Sequence, residues 1–298
     1  MRRSPLATCM LCAVMALGLS TCVIVVEIGR DGGSSGLDML HDATSFEAGT
    51  DTPNPTTDTI NPRAAIKWAR SIGAHTFDSV SAMDIHRRTD TLFVTGLFDG
   101  AVDFGGGALT SSQRDIFIAS YGSDGRYGWA KALGTPGDDA GSALVVTPAG
   151  DLLITGHLGE GSVDFGGGKL EGGVQDVFVA RFGSAAQHRW SRRWANTLHG
   201  TGNSGSSIAL DGAGNVCVGG HHSGTINFGD GPLDSDFFNY FNPFVFLMDP
   251  AGDVRWSRGT TSNGGVFTGE AIATIGADGT VYLGGSSASS ISFGRDTL

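Results

Sequence analysis

Val102-Asp103-Phe104-Gly105-Gly106-Gly107 recurs letter for letter as Val163-Asp164-Phe165-Gly166-Gly167-Gly168, with weaker copies at 226–231 (INFGDG) and 291–294 (ISFG). A single glycine-rich loop can wrap a phosphate, whereas one repeated at fixed spacing marks a structural corner. The motif phenylalanines Phe104, Phe165, Phe228 and Phe293, and a second series of Trp68, Trp129, Trp190 and Trp256, both recur at about 61 residues. Two landmarks keeping one period over four copies define a repeat architecture, so the hexapeptide is read as part of the fold before any ligand is considered.

Each copy is β throughout. In the second, SALVVTPAG, DLLITGH, DVFVARF and HRWSRRW are four short runs of apolar residues divided by Gly, Pro and Asp. SAMDIH, DTLFVTG, DIFIASY and YGWAKAL match them in the first copy, and SSIALD, NVCVGGH, FVFLMD and VRWSRG in the third. Asp-Gly and Pro-Ala-Gly turns such as 147–151, 211–215 and 249–253 supply the positive-φ residue of a tight hairpin. They lack the acidic ladder and terminal Glu of a calcium loop. The expectation is an all-β chain, a β-propeller of four-stranded blades with about four repeats and the last one incomplete. The run Ala65 to Arg70 has no blade of its own and is expected either to strap the last blade into a closed four-bladed ring or to leave an open arc.

Composition sets the surroundings. The chain has 298 residues, 48 of them glycine, without a Gly-X-Y period, which excludes collagen and suits a protein of many turns. A net charge of −11 with 19 Lys and Arg leaves no basic stripe for nucleic acid. Arg2 and Arg3 precede an apolar run from Leu6 to Ile28, so residues 1–28 read as an export signal or membrane anchor. Leu19-Ser20-Thr21-Cys22 resembles a bacterial lipobox, with Thr21 in the place of a smaller residue, which makes Cys22 the candidate lipidation site. Lipoprotein, uncleaved anchor and secreted protein all stay open, and each puts the body of the chain outside the cytoplasm, in the periplasm, at the outer membrane or cell surface, or free. Residues 29–63, rich in Gly, Ser, Thr, Asp and Pro, read as a tether, and 64–298 as the repeat domain. Cys9 and Cys12 fall in the signal run, so the body holds Cys217 alone and no internal disulfide.

The consensus VTG-x-F-x-G-x-VDFGGG-x-L, D-I/V-F-I/V-A and G-x-x-x-W-A resembles the SBBP-type β-propeller repeats of secreted or surface-attached bacterial proteins. The resemblance covers 65–298 and degrades in the third copy, where Asn227-Phe228-Gly229-Asp230-Gly231 replaces DFGGG and Asn242-Pro243-Phe244 replaces Asp-Ile-Phe. It implies a propeller, usually of seven blades, and no general catalytic activity. Asp124-Gly125-Arg126-Tyr127-Gly128-Trp129 is similar to the docking pattern of quinoprotein dehydrogenase propellers, one residue shorter, but no cofactor set maps onto this chain, and no cofactor is expected.

In an antiparallel blade the tight hairpins share one end and the VDFGGG segments share the other with the blade-to-blade links. Ligands favour the end with longer loops. There stand Asp138 and Asp139 on a link, and His157, His221 and Ser286 at the repeat position of Leu97, with His222 beside His221. His and Asp are metal-ligand types, yet neighbours on a strand point to opposite faces, so His221 and His222 do not share an ion. Asp103, Asp115, Asp164 and Asp176 could pair as hydrolytic carboxylates, but their repetition favours caps on main-chain amides. No nucleophile elbow or helix-borne phosphate loop is present. Two functions follow as expectations: a non-catalytic surface module for binding, adhesion or scaffolding, with a protein or polysaccharide ligand; or an extracytoplasmic enzyme that cleaves polysaccharide or oxidises with a quinone.

Overall fold

A computed structural model describes residues 23–30, 64–73, 77–195, 202–234, 241–262, 271–285, 291–293 and 296–297 of the chain. Cys22, Ser286 and most of the expected signal and tether lie outside the described residues. Every regular element among those described is a strand.

Three four-stranded antiparallel meanders follow one another within the Ser71–Leu298 part of the larger of two compact units. Sheet one consists of Ser79–His86, Thr91–Phe98, Asp115–Tyr121 and Tyr127–Leu133. Sheet two consists of Ala140–Val146, Leu152–Leu158, Asp176–Phe182 and His188–Trp194. Sheet three consists of Ser204–Leu210, Val216–His222, Asn242–Met248 and Val254–Gly259. The fourth repeat is described as a hairpin of Ile272–Ile275 with Val281–Gly284. Ile291–Phe293, which carries the last motif phenylalanine, pairs with Thr261–Ser262 and Asp296–Thr297.

Strands two and three are continuous apolar runs because both of their faces are covered. Leu152, Ile154 and Phe178 of sheet two share one core with Phe93, Ile116 and Ile118 of sheet one. The alternate residues Leu153, Val177 and Val179 share another with Val216, Val218 and Phe246 of sheet three. Cys217 and Val245 then meet Ala273 and Ile275 of the following hairpin. Burial drives the Cys217 thiol up to about 12, so it packs as a small apolar group.

The same devices recur in each sheet. The first strand bulges at Ser81, Ser142 and Ser206, each skipped in the pairing register with strand two. Opposite the bulge stands Gly96, Gly156 or Gly220, where a Cβ would overlap the carbonyl oxygen of Ser79, Ala140 or Ser204. Strand-four tryptophans reach forward to the next sheet: Trp129 Nε1 donates to the Ser184 carbonyl at 2.8 Å, and Trp190 Nε1 to that of Pro250 at 3.2 Å.

The opening hexapeptide is a small hairpin between strands two and three, formed by Ala101–Asp103 with Ala108–Thr110 in sheet one and by Val163–Asp164 with Lys169–Leu170 in sheet two. Phe104, Phe165 and Phe228 are buried in the cores. Asp103 Oδ1 accepts the amides of Gly105 and Gly107 at 2.7 and 3.0 Å, and Asp164 repeats this at Gly166 and Gly168. Asn227 keeps the bond to Gly229. The change to Asp230 in the third copy has a steric cause. A Cβ on Gly106 or Gly167 would run into the ring of Tyr127 or His188, but sheet three has the smaller Val254 at that place. Asp230 uses the room to accept the Ser257 amide at 3.1 Å.

Six hairpins among the described residues share one turn, in which the first amide bonds to the fifth carbonyl and the fourth amide to the first carbonyl, as in Thr147 with Asp151 and Gly150 with Thr147. The fourth residue is left-handed. It is glycine in five turns and Ala186, at φ 65°, in the sixth. Ala186→Gly removes that strain and is expected to stabilise the protein by about 0.5–1 kcal/mol, measured as a higher denaturation midpoint.

A closing strap is one of two expectations for this run, the other being an open arc; among the described residues the ladder partner of Ala64–Ile72 is Val23–Arg30, in a separate two-stranded sheet. The partner's Val-Ile-Val-Val run has strong strand preference, and it spans the end of the expected signal segment and the start of the expected tether. No closed ring is found among the described residues.

Candidate functional site

The residue before each first strand is Asp78, Asp139 or Asn203, and all three are buried. Each accepts the backbone amide just beyond strand two, from Asp99, Gly159 or Ser223, at 3.1, 2.8 and 3.0 Å. Asp139 also accepts the Thr135 amide and hydroxyl. Burial raises its pKa against the pull of those bonds. Asp139 is therefore a clamp holding two strands together, with both oxygens engaged. Its neighbour Asp138 faces the other way and forms an ion pair with Arg114, which holds the Asp138 carboxyl below its usual range.

Leu97, His157 and His221 share one repeat position, the last but one residue of strand two. Burial lowers the pKa of His157, with Arg114 adding to the effect and Asp138 opposing it. Burial also takes His221 down to about 4, helped by His157 and His222. Burial thus favours the neutral form of both rings, which carries one N–H and one lone pair. The His221 ring sits 4.8 Å from that of Phe241, and the Arg114 guanidinium sits 5.7 Å from the Phe77 ring. His222 points inward as the period-two rule requires. It is fully buried, and its Nδ1 donates to the Gly224 carbonyl at 3.0 Å. Among the described residues, no three His, Cys, Asp or Glu side chains come together to hold a metal ion.

A second polar constellation separates the sheets chemically. In sheet two, Arg193 is buried and pairs with Asp176 at 2.7 Å. Its other nitrogens donate to the carbonyls of Gly159, Gly161, Leu170 and Gly173. A Cβ on Gly172 would overlap this guanidinium, so the glycine makes its space. The equivalent residues in sheet one are Asp115, Ala132 and Ser111, and the Ser111 hydroxyl bonds to the Phe98 and Gly100 carbonyls in place of an arginine. Sheet three has Asn242 and Gly259 and drops both charges. Asp115 is thus a carboxylate without its cation, and its Oδ1 is buried with no hydrogen-bond partner.

Burial, then Asp139 and Asp99, push Asp115 up to about 6. A carboxyl with a higher pKa folded than unfolded holds its proton more tightly in the folded state. The folded protein therefore loses stability as pH rises from about 4 through about 6, and carries the full penalty above that. Asp115→Asn is expected to stabilise by about 1 kcal/mol at pH 7.5, allowing for solvent screening of a half-exposed group, with the gain vanishing near pH 4. Urea melts of both proteins at the two pH values measure it, and an equal effect at both would refute the assignment.

Of the residues singled out in the sequence, Asp138, His157 and His221 gather at one end of the sheets, while Asp139 and His222 are turned into the structure. Phe77, Phe241, Arg114 and Arg193 were missed. The period offered a signal for the Asp clamps, since Asp78, Asp139 and Asn203 each precede a first strand. No family model matches the chain, and no curated protein is found to be similar to it.

Proposed function

We propose that the three sheets and the following hairpin are blades of a β-propeller of the SBBP-repeat kind. It is exported and held at the envelope by a lipid on Cys22 or by an uncleaved anchor, and it serves as a non-catalytic binding, adhesion or scaffold module. The observation that carries this reading is where the chemistry goes. The repeated carboxylates cap amides, clamp strand ends or pair with a buried arginine, and the outward-facing groups left at the long-loop end belong to three different sheets. Sequential packing of each sheet on the next supports the blade arrangement.

The test is binding of the full chain to isolated envelope fractions, compared with a His157→Ala/His221→Ala variant. Retention that falls at least tenfold in the variant supports the module; equal retention, or none, overturns it. Substrate turnover that disappears in Asp115→Asn would support the enzyme instead. The mass of the native N-terminus decides anchoring, because an intact Met1 eliminates both lipidation and cleavage.

A further inference from the structure

Five large apolar side chains among the described residues are notably exposed, and three of them, Phe77, Val174 and Phe241, lie at the long-loop end. Phe77 is 56% exposed and Phe241 is 40% exposed. Neither ring is loose. Phe77 lies against the Arg114 guanidinium, itself fixed by Asp138. Phe241 lies against His221 and over Gly202, where a Cβ would collide with the ring. The groups form one strip across three sheets: Phe77 and Arg114 from the first, Asp138 on the link, His157 on the second, His221 and Phe241 on the third.

We propose that this strip binds an uncharged glycan, whose sugar rings stack on Phe77 and Phe241 and whose hydroxyls bond to Arg114, Asp138, His157 and His221. The inference rests on the binding-module reading above and names its ligand. The strip's charge balance selects the class. Arg114 is paired with Asp138 and has Asp99 beside it, and burial favours the neutral form of both imidazoles, so the strip offers donors and acceptors without the excess positive charge that a polyanion needs. Its apolar surface is two separate aromatic faces divided by polar groups. That matches the alternating C–H and hydroxyl faces of sugars better than the continuous apolar centre of a protein interface. Packed sheets lie about 10 Å apart, so three of them present a track of about 20 Å, room for an oligosaccharide.

Electrophoresis of the full chain through gels containing a soluble β-glucan, α-glucan, galactomannan or xylan, with alginate as the anionic comparison, tests the proposal. Retardation is expected with at least one neutral polymer, weakened at least tenfold in Phe77→Ala and in Phe241→Ala. Both rings are exposed, so the variants should keep the wild-type unfolding midpoint. Retardation should also hold steady from pH 7 to 8, because burial lowers the pKa of both imidazoles. No retardation by any neutral polymer, or retardation unchanged in both variants, overturns the glycan. Envelope binding that depends on His157 and His221 but is abolished by protease treatment of the envelope, and not competed by these polymers, refutes the glycan and leaves the binding module standing.

Discussion

Replacing Arg193 with alanine is expected to cost about 3–5 kcal/mol of folding stability, the range for removing one partner of a buried ion pair. The loss has two sources. The Asp176 carboxylate would be left buried without its cation, and four main-chain carbonyls would lose a donor that water reaches poorly. The protein carries its own control, since sheet three folds with Asn242 and Gly259 at the same two places. Adding Asp176→Asn to the Arg193→Ala variant should therefore recover part of the loss, giving a coupling energy of at least about 1 kcal/mol in a double-mutant cycle of urea melts. A single-variant cost below about 1 kcal/mol would show that the guanidinium is not the buried hub described here.

Gly156→Ala is expected to cost about 3 kcal/mol or more, although it adds one methyl group. The Cβ would overlap the Ala140 carbonyl and press on the Ser142 amide, both main-chain atoms of the bulged first strand. Neither can swing away as a side chain could, so the bulge must open or the strand pair must part. Alanine at Gly212, around which a Cβ finds open space, is the matched comparison and should cost less than about 1 kcal/mol. Guanidinium denaturation curves of the two variants measure the difference, and near-equal midpoints would refute the steric argument.

How much of this was legible in the sequence depended on the range of the interaction. The period, the strand runs and the turns are local, so Phe104, Phe165 and the Asp-Gly hairpins could be read directly. The capping role of Asp103 and Asp164 was likewise readable, because an acceptor before a glycine-rich turn has amides within reach. The Asp138-Asp139 pair shows where that stops. Two identical side chains side by side divide into a surface ion pair and a buried clamp, a division set by strand ends in two different repeats. Arg193 was hidden among Arg189, Arg192 and Arg193, of which only the last faces a cradle of carbonyls. Phe241 was invisible as a surface ring because its sequence neighbours are those of a core strand. The partner of Ala64–Ile72 was missed because the apolar run that supplies it also reads as part of an export segment.

The tryptophan tethers give the stack a direction. Trp129 and Trp190 each reach from their own sheet to the outer hairpin of the next one. Each of these two sheets is thus pinned at its edge to the one after it, like slates nailed course to course. A contact between two sheets is lost whichever of them opens first. Stability then approaches a sum of terms over successive pairs, and cutting one pin weakens one seam while leaving the next unchanged.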